Sequence, residues 1–162
     1  MSPKIVDRNR LVSIAGALRI EGRKLVLTNG CFDLLHVGHV RYLQAARALG
    51  DALAVAINGD DSVRVLKGKG RPLNTESDRA EIVAALQCVD YAVVFPEVRV
   101  TRLIEEVLPA IYVKGGDYAP NSLHPEERAA LEKAGAEIRI VPFEPGHSTS
   151  RMIAQIKELP HG

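Results

Sequence analysis

Lys24-Leu-Val-Leu-Thr-Asn-Gly-Cys-Phe-Asp-Leu-Leu-His-Val-Gly-His39 is the stretch that decides the fold. Its opening, Lys24–Thr28, is a short apolar run of strand character. Beyond it, Gly38–Leu49 places Val40, Leu43, Ala46 and Ala48-Leu49 at helical spacing, with Gly50 positioned to end the helix in a left-handed cap. A strand that passes through a glycine-bearing turn into a helix is the first half of a βαβ unit, so the chain is read outward from here for repeats of that alternation.

The alternation recurs. Asp51–Ile57, Asp90–Phe95, Ala110–Val113 and Glu137–Val141 read as further strands. Their apolar residues are nearly continuous, as in Ala54-Val55-Ala56-Ile57, which is the pattern of strands covered on both faces. Helices are expected between them at Thr75–Leu86, Val98–Leu108, Pro125–Ala134 and Ser148–Leu159, with another near Arg10–Ile20. Thr75-Glu-Ser-Asp78 has the form of a capping box, Pro125 suits a first helical turn and Gly135 a helix end. The fold class is therefore α/β: a doubly wound, Rossmann-like parallel sheet of five strands flanked by helices, in a single domain.

Bulk properties agree with one soluble domain. The chain has 162 residues, 46% hydrophobic and 25% charged, with a formal net charge of +1 and the two signs interleaved. That composition excludes a disordered chain and gives no basic surface for nucleic acid or anionic membrane. Cys31 and Cys88 have no paired spacing and are read as free thiols. With no signal-peptide pattern and no run long enough to span a bilayer, the expected location is cytoplasmic.

The segment Thr28–His39 carries the chemistry. It lacks the Gly-Lys-Ser/Thr end of a Walker loop, and with only Gly30 and Gly38 it lacks the three glycines of a dinucleotide fingerprint. His36 and His39 lie three apart. At the start of a helix they share a face beside unpaired backbone N–H groups, where two imidazoles can donate to the oxygens of a phosphorus centre and its leaving pyrophosphate. Gly38 removes a side chain between them, allowing a nucleotide to lie close to the backbone. Asp33 either fixes a histidine tautomer or caps the turn. Zinc takes three or four protein ligands, and His124, His147 and His161 are scattered, so no metal site is assigned. Two loops rich in glycine and charge, Lys67–Leu73 and Lys114–Pro120, are either solvated segments or part of a ligand edge; the second follows directly on a strand.

Gly30-Cys-Phe-Asp-Leu-Leu-His-Val-Gly-His39 resembles the signature of the cytidylyltransferase-like nucleotidyltransferases, whose hallmark is the HxGH part. Over about residues 24 to 157 the chain is similar to their heptose 1-phosphate adenylyltransferase branch. Supporting segments are Asp61-Ser-Val-Arg-Val-Leu-Lys-Gly68, Arg71-Pro-Leu-Asn-Thr-Glu-Ser-Asp-Arg79, Cys88-Val-Asp-Tyr91 and Val113-Lys-Gly-Gly-Asp-Tyr118. Gly146-His-Ser-Thr-Ser-Arg-Met-Ile153 resembles the second signature, with Ser150 where the heptose enzymes often have threonine. Cys88 and Phe143 stand where cytidylyl relatives tend to carry arginine, which favours adenylyl transfer.

The resemblance implies roles. His36 and His39 stabilise charge at the α-phosphorus and on pyrophosphate, Lys67 attracts the sugar phosphate, and Ser148, Thr149 and Ser150 hold the β- and γ-phosphates. Asn29, Gly30, Cys31, Phe32, Asp33, Gly38, Lys114, Gly115 and Asp117 line the nucleotide, while Arg71 and Arg79 meet substrate phosphate or, for Arg79, an acidic partner. ATP with Mg²⁺ and a sugar 1-phosphate are the implied ligands, and a homodimer the implied assembly. The domain is expected over 24–159, after a helical extension at 1–23 and before a tail at 160–162. Two rivals are kept: transfer to another phosphorylated acceptor such as glycerol 3-phosphate or FMN, and a non-catalytic ATP sensor.

Overall fold

The computed structural model describes residues 1–116, 123–142 and 145–162. Five strands, β1 (Leu25–Gly30), β2 (Ala52–Asn58), β3 (Tyr91–Phe95), β4 (Ile111–Gly115) and β5 (Glu137–Val141), form one sheet in the order β3-β2-β1-β4-β5. Every pairing is parallel. Around them lie α1 (Arg8–Ile20), α2 (Val37–Arg47), α3 (Asp60–Lys67), α4 (Glu76–Ala84), α5 (Thr101–Val107), α6 (Pro125–Ala134) and α7 (Thr149–Lys157). The chain starts at central β1, winds outward through β2 and β3, then returns to the other side of β1 with β4. This puts the topological switch point between β1 and β4, where an open α/β sheet leaves its crevice.

Strand alternation splits the core in two. Leu25 and Leu27 of β1, with Ala52, Ala54 and Ala56 of β2, pack beside α1 and α5. Val26, Leu53, Val55 and Ile57 face the opposite way, beside Leu43 and Ala46 of α2 and Ala80 and Val83 of α4. Period-two side chains thus bury both faces, which is why the strands read as continuous apolar runs.

The segment 1–23 is built into this core. Leu11, Ala15 and Leu18 of α1 are buried, and Ile5 makes a parallel bridge to Ala92, with Val6 N donating to Ala92 O and Ala92 N to Lys4 O, both at 2.9 Å. Those bonds cover the outer edge of β3, which otherwise presents unpaired backbone groups.

Two local readings are corrected. Helix α2 ends at Arg47 with its C-cap, Ala48, in the right-handed region, so Gly50 forms no left-handed cap. Gly50 is needed for proximity instead: a Cβ there would lie 2.7 Å from Val26 Cγ2 and 2.9 Å from Lys24 O. Helix α3 was not anticipated, because Val65 and Leu66 are 71% and 48% exposed and only Ser62 and Val63 are buried, which breaks the apolar stripe. Thr75 caps α4 as read, accepting from Asp78 N at 3.2 Å, and Gly135 ends α6 at φ 69°.

Candidate active site

The carboxyl ends of β1, β2 and β4 open onto a cavity of about 420 Å³. Its wall includes Asn29, Gly30, Cys31, Phe32, Asp33, His39, Lys67, Arg71, Lys114, Gly115, Thr149 and Ser150, all anticipated above. Tyr42, Asn58 and Leu66 join them. Asn58 was legible in principle as the polar last residue of a buried strand, and Tyr42 as the residue one turn beyond His39; Leu66 sits on the helix that the pattern missed.

The turn after β1 is shaped by Gly30 and Phe32. Phe32 has φ 51°, uncommon for a bulky side chain, and its ring folds back so that a Cβ on Gly30 would sit 2.9 Å from it. That fold leads the chain into α2 with His36 as N-cap. Backbone N of His36 donates to Nδ1 of His39 at 3.3 Å. Neutral His39 therefore carries its proton on Nε2, and its ring lines the cavity as a donor. Burial, with a smaller contribution from His36, lowers the pKa of His39 to about 4, so the ring is neutral at physiological pH.

His36 does not line the cavity. Its ring lies 3.9 Å from that of His39 and 6.4 Å from that of His147, centroid to centroid, and its buried Nδ1 has no hydrogen-bond partner among the described residues. Burial, then His147, lowers its pKa. Gly38 is buried beneath these rings: a Cβ there would lie 2.8 Å from His36 Nδ1 and 3.1 Å from His147 Cβ. The glycine makes room for histidines rather than for a ligand against the backbone.

Asp33 takes neither of the roles left open for it. Its carboxylate accepts from Arg71 Nε at 2.8 Å, Leu73 N at 2.7 Å and Asn74 N at 2.9 Å, pinning the 71–74 segment over the cavity. Burial raises its pKa, but the Asn74 and Leu73 amides and the Arg71 guanidinium outweigh this and hold it below the ordinary value. Arg79 is fully buried behind the wall and is spent on Asp60 and on backbone carbonyls, which leaves it no phosphate to meet. Burial pushes the Cys31 thiol up against the pull of Lys67 and Arg79, which keeps it protonated.

Opposite α2, helix α7 points its N-terminus at the same space. Ser148 is its N-cap, accepting from Arg151 N at 3.1 Å, and is exposed outside the cavity wall, whereas Thr149 and Ser150 line it. Thr149 Oγ1 donates to Leu34 O at 3.2 Å, tying α7 to the turn before α2. Two helix N-termini then converge on one polar cavity, an arrangement suited to a polyanion. Asp117 and Phe143 lie outside the described residues. No group of three or more His, Cys, Asp or Glu among the described residues is arranged to hold a metal ion, and no described helix is long and apolar enough to cross a membrane.

Comparison with known proteins now bears on the site. A family model described as Cytidylyltransferase-like matches residues 27–156, which spans both histidines and the serine–threonine cluster of α7. The chain belongs to this cytidylyltransferase-like family. Among its relatives, the bifunctional protein HldE of Geotalea uraniireducens is 49% identical over 154 residues, 95% of this chain and 31% of that protein. HldE of Aeromonas hydrophila is 51% identical over 95% of this chain and 32% of its own length. The chain thus spans about a third of the length of these curated relatives. A crystal structure of the lipopolysaccharide core biosynthesis protein from Thermoplasma volcanium shares 30% identity at TM-score 0.63, covering 76% of this chain and 98% of that one. Pantoate-beta-alanine ligase from Francisella tularensis, at 15% identity and TM-score 0.56, shares the fold.

The depressed pKa of His39 has a consequence for stability. Below about pH 6.5 the unfolded chain takes up a proton at this position, while the folded chain refuses it until about pH 4. Stability from this group is therefore full above pH 6.5 and is lost as pH falls towards 4; His36 acts in the same direction. Thermal melts at pH 7 and pH 5 are expected to show a smaller drop for His39→Gln than for the wild type, and equal drops would refute the burial argument.

Proposed function

We propose that the chain transfers AMP from ATP to a heptose 1-phosphate, giving ADP-heptose and pyrophosphate for a bacterial surface glycan, as a cytoplasmic enzyme. The observation that carries this reading is the tautomer of His39: its Nδ1 is occupied by the backbone of His36, so Nε2–H is aimed at a cavity that two helix N-termini make anion-binding. The names of the relatives support the heptose and lipopolysaccharide context.

In this reading an oxygen of the sugar 1-phosphate attacks the α-phosphorus in line, a new P–O bond forms, and the bond to the β-phosphate's bridging oxygen breaks with its electron pair leaving on pyrophosphate. The nucleophile is already an anion, so no strong general base is required, and positioning and charge stabilisation supply the rate. His39 donates to the oxygens on which charge grows, and His36 keeps that ring in place. Ser150 and the first N–H groups of α7 meet the outer phosphates, joined by Thr149 once its hydroxyl turns from Leu34 O to the ligand. Lys67 at the end of α3 and Arg71 on the segment pinned by Asp33 attract the sugar phosphate. Asp33 is engaged by Arg71 and two amides, and the described residues form no carboxylate cage, so Mg²⁺ would be held through the triphosphate oxygens and would supply charge neutralisation there. A homodimer belongs to the same reading, with Ile82 of α4 and Leu73 just before it, 46% and 58% exposed, as its apolar contribution; light scattering reads the mass directly.

The deciding test crosses four NTPs with several sugar 1-phosphates, glycerol 3-phosphate and FMN, and reads pyrophosphate. Release only with ATP and a heptose 1-phosphate is expected. Release with glycerol 3-phosphate or FMN alone replaces the acceptor, and nucleotide binding without release from any pair makes the chain a sensor. Within the site, Thr149→Val with Ser150→Ala is expected to raise KM for ATP about tenfold, the value of one or two lost hydrogen bonds to a charged group, with kcat little changed. An unmoved KM removes α7 from triphosphate binding.

A further inference from the structure

A second cavity, of about 250 Å³, adjoins the first and shares Asn29, Asn58, Leu66 and Lys114 with it. The two form one cleft, and the second lobe runs towards α6, where Glu127 and His124 line it. Glu127 is 7% exposed. Among the described residues it makes no hydrogen bond or ion pair, although it lies near enough to Tyr112 to add to the rise that burial imposes on that phenol. Tyr112 does not serve it, because its hydroxyl donates to Asn29 Oδ1.

The side chain of Glu127 is largely buried, yet its carboxylate oxygens are not enclosed; they open onto the cleft, where a ligand can reach them. The neighbours are poised for hydroxyl groups. Tyr112 donates to the carbonyl oxygen of Asn29, so what this cleft-lining residue has left to offer is the donor of its amide nitrogen. Asn58 donates through Nδ2 to Val98 O at 3.4 Å, which leaves its carbonyl oxygen as an acceptor. A donor, an acceptor and a carboxylate that can accept from two hydroxyls at once make a set complementary to vicinal hydroxyls.

We infer that this second lobe seats the polyhydroxylated ring of the acceptor and that Glu127 selects it by accepting hydrogen bonds from vicinal hydroxyls. The inference rests on the proposed sugar-phosphate reaction and names the acceptor half of that cleft. It assigns Glu127 a specificity role, since the residue lies apart from the triphosphate cradle of α2 and α7.

The test is steady-state kinetics of full-length wild type and Glu127→Gln, with folding of the variant checked by its melting temperature. KM for the sugar 1-phosphate is expected to rise at least about tenfold in the variant, with KM for ATP unchanged, because a charge-assisted hydrogen bond is lost from one substrate only. Acceptors lacking one ring hydroxyl are expected to bind more weakly than the parent to wild type and equally to Glu127→Gln. An active wild type whose folded variant keeps its sugar KM overturns the inference alone, and a rise in KM for ATP instead reassigns the lobe to the base. A wild type inert towards every sugar 1-phosphate overturns the reaction beneath it as well. If the variant does not fold, the deoxy series on wild type decides: equal KM for every analogue overturns the inference.

Discussion

Replacing His39 with alanine is expected to lower kcat for pyrophosphate release about 100- to 1,000-fold, the range for removing one preorganised donor at a developing charge. The magnitude follows from preorganisation. The His36 amide fixes the ring by its Nδ1, burial keeps it neutral, and the ring of His36 packs at 3.9 Å against it. A donor so constrained has little reorganisation to undergo as charge moves from the α-phosphorus to the leaving group. The effect should fall on kcat rather than on KM for ATP, because a contact that strengthens only in the transition state leaves ground-state binding largely intact. Substitution at His36 should be milder, since that ring touches His39 and not the cavity. Turnover of His39→Ala within about tenfold of wild type would remove the imidazole from the chemistry.

The way His39 is held shows how far the sequence reaches. The spacing of His36 and His39 after a buried strand pointed to a candidate site at the start of α2, and twelve residues named from motifs line the cavity there. What the spacing could not convey is the asymmetry between the two rings. That asymmetry depends on the extended backbone at His36, φ −136°, which turns its amide onto His39 and its ring away from the cavity. Asp33 misled for a related reason: its partners, Arg71, Leu73 and Asn74, lie some forty residues downstream and reach it through α3. The strands were legible because burial on both faces prints continuous apolar runs. Helix α3 was not, because it is held at the sheet's carboxyl edge by its N-terminal contacts more than by an apolar stripe, with Asp60 N donating to Glu76 Oε2 at 2.7 Å. Glu127 gave no signal at all. An acid in a first helical turn is ordinary, and only the packed fold shows that this one is buried in a cleft.

The other large effect is on stability, at Arg79. Sequence motifs gave this residue either a phosphate or an acidic partner, and the fold gives it a structural knot. Its Nε donates to Asn74 O at 3.0 Å, one terminal nitrogen to Cys31 O at 2.8 Å and Asn58 O at 2.7 Å, and the other to Asp60 Oδ1 at 2.8 Å. The turn after β1, the end of β2, the start of α3 and the segment before α4 are thereby tied to one planar group. Arg79→Met keeps the stem's packing but leaves three carbonyls and a carboxylate without their donor. Breaking a buried pair costs about 3–5 kcal/mol. The carboxylate half counts for less here, because Asp60 is 35% exposed at its side chain and water can replace its partner. The carbonyls have no such relief, so the expected loss is about 3 kcal/mol, or a fall in Tm of about 6–12 °C for a domain of this size. Arg79→Lys should recover little of it, since one ammonium cannot satisfy a fork of four acceptors set around a plane. Asp60→Asn, which keeps an acceptor for Arg79, should cost only about 1 kcal/mol. Urea unfolding of the three variants measures these differences, and a loss below about 1 kcal/mol for Arg79→Met would show that the knot is not what holds the cleft's wall together.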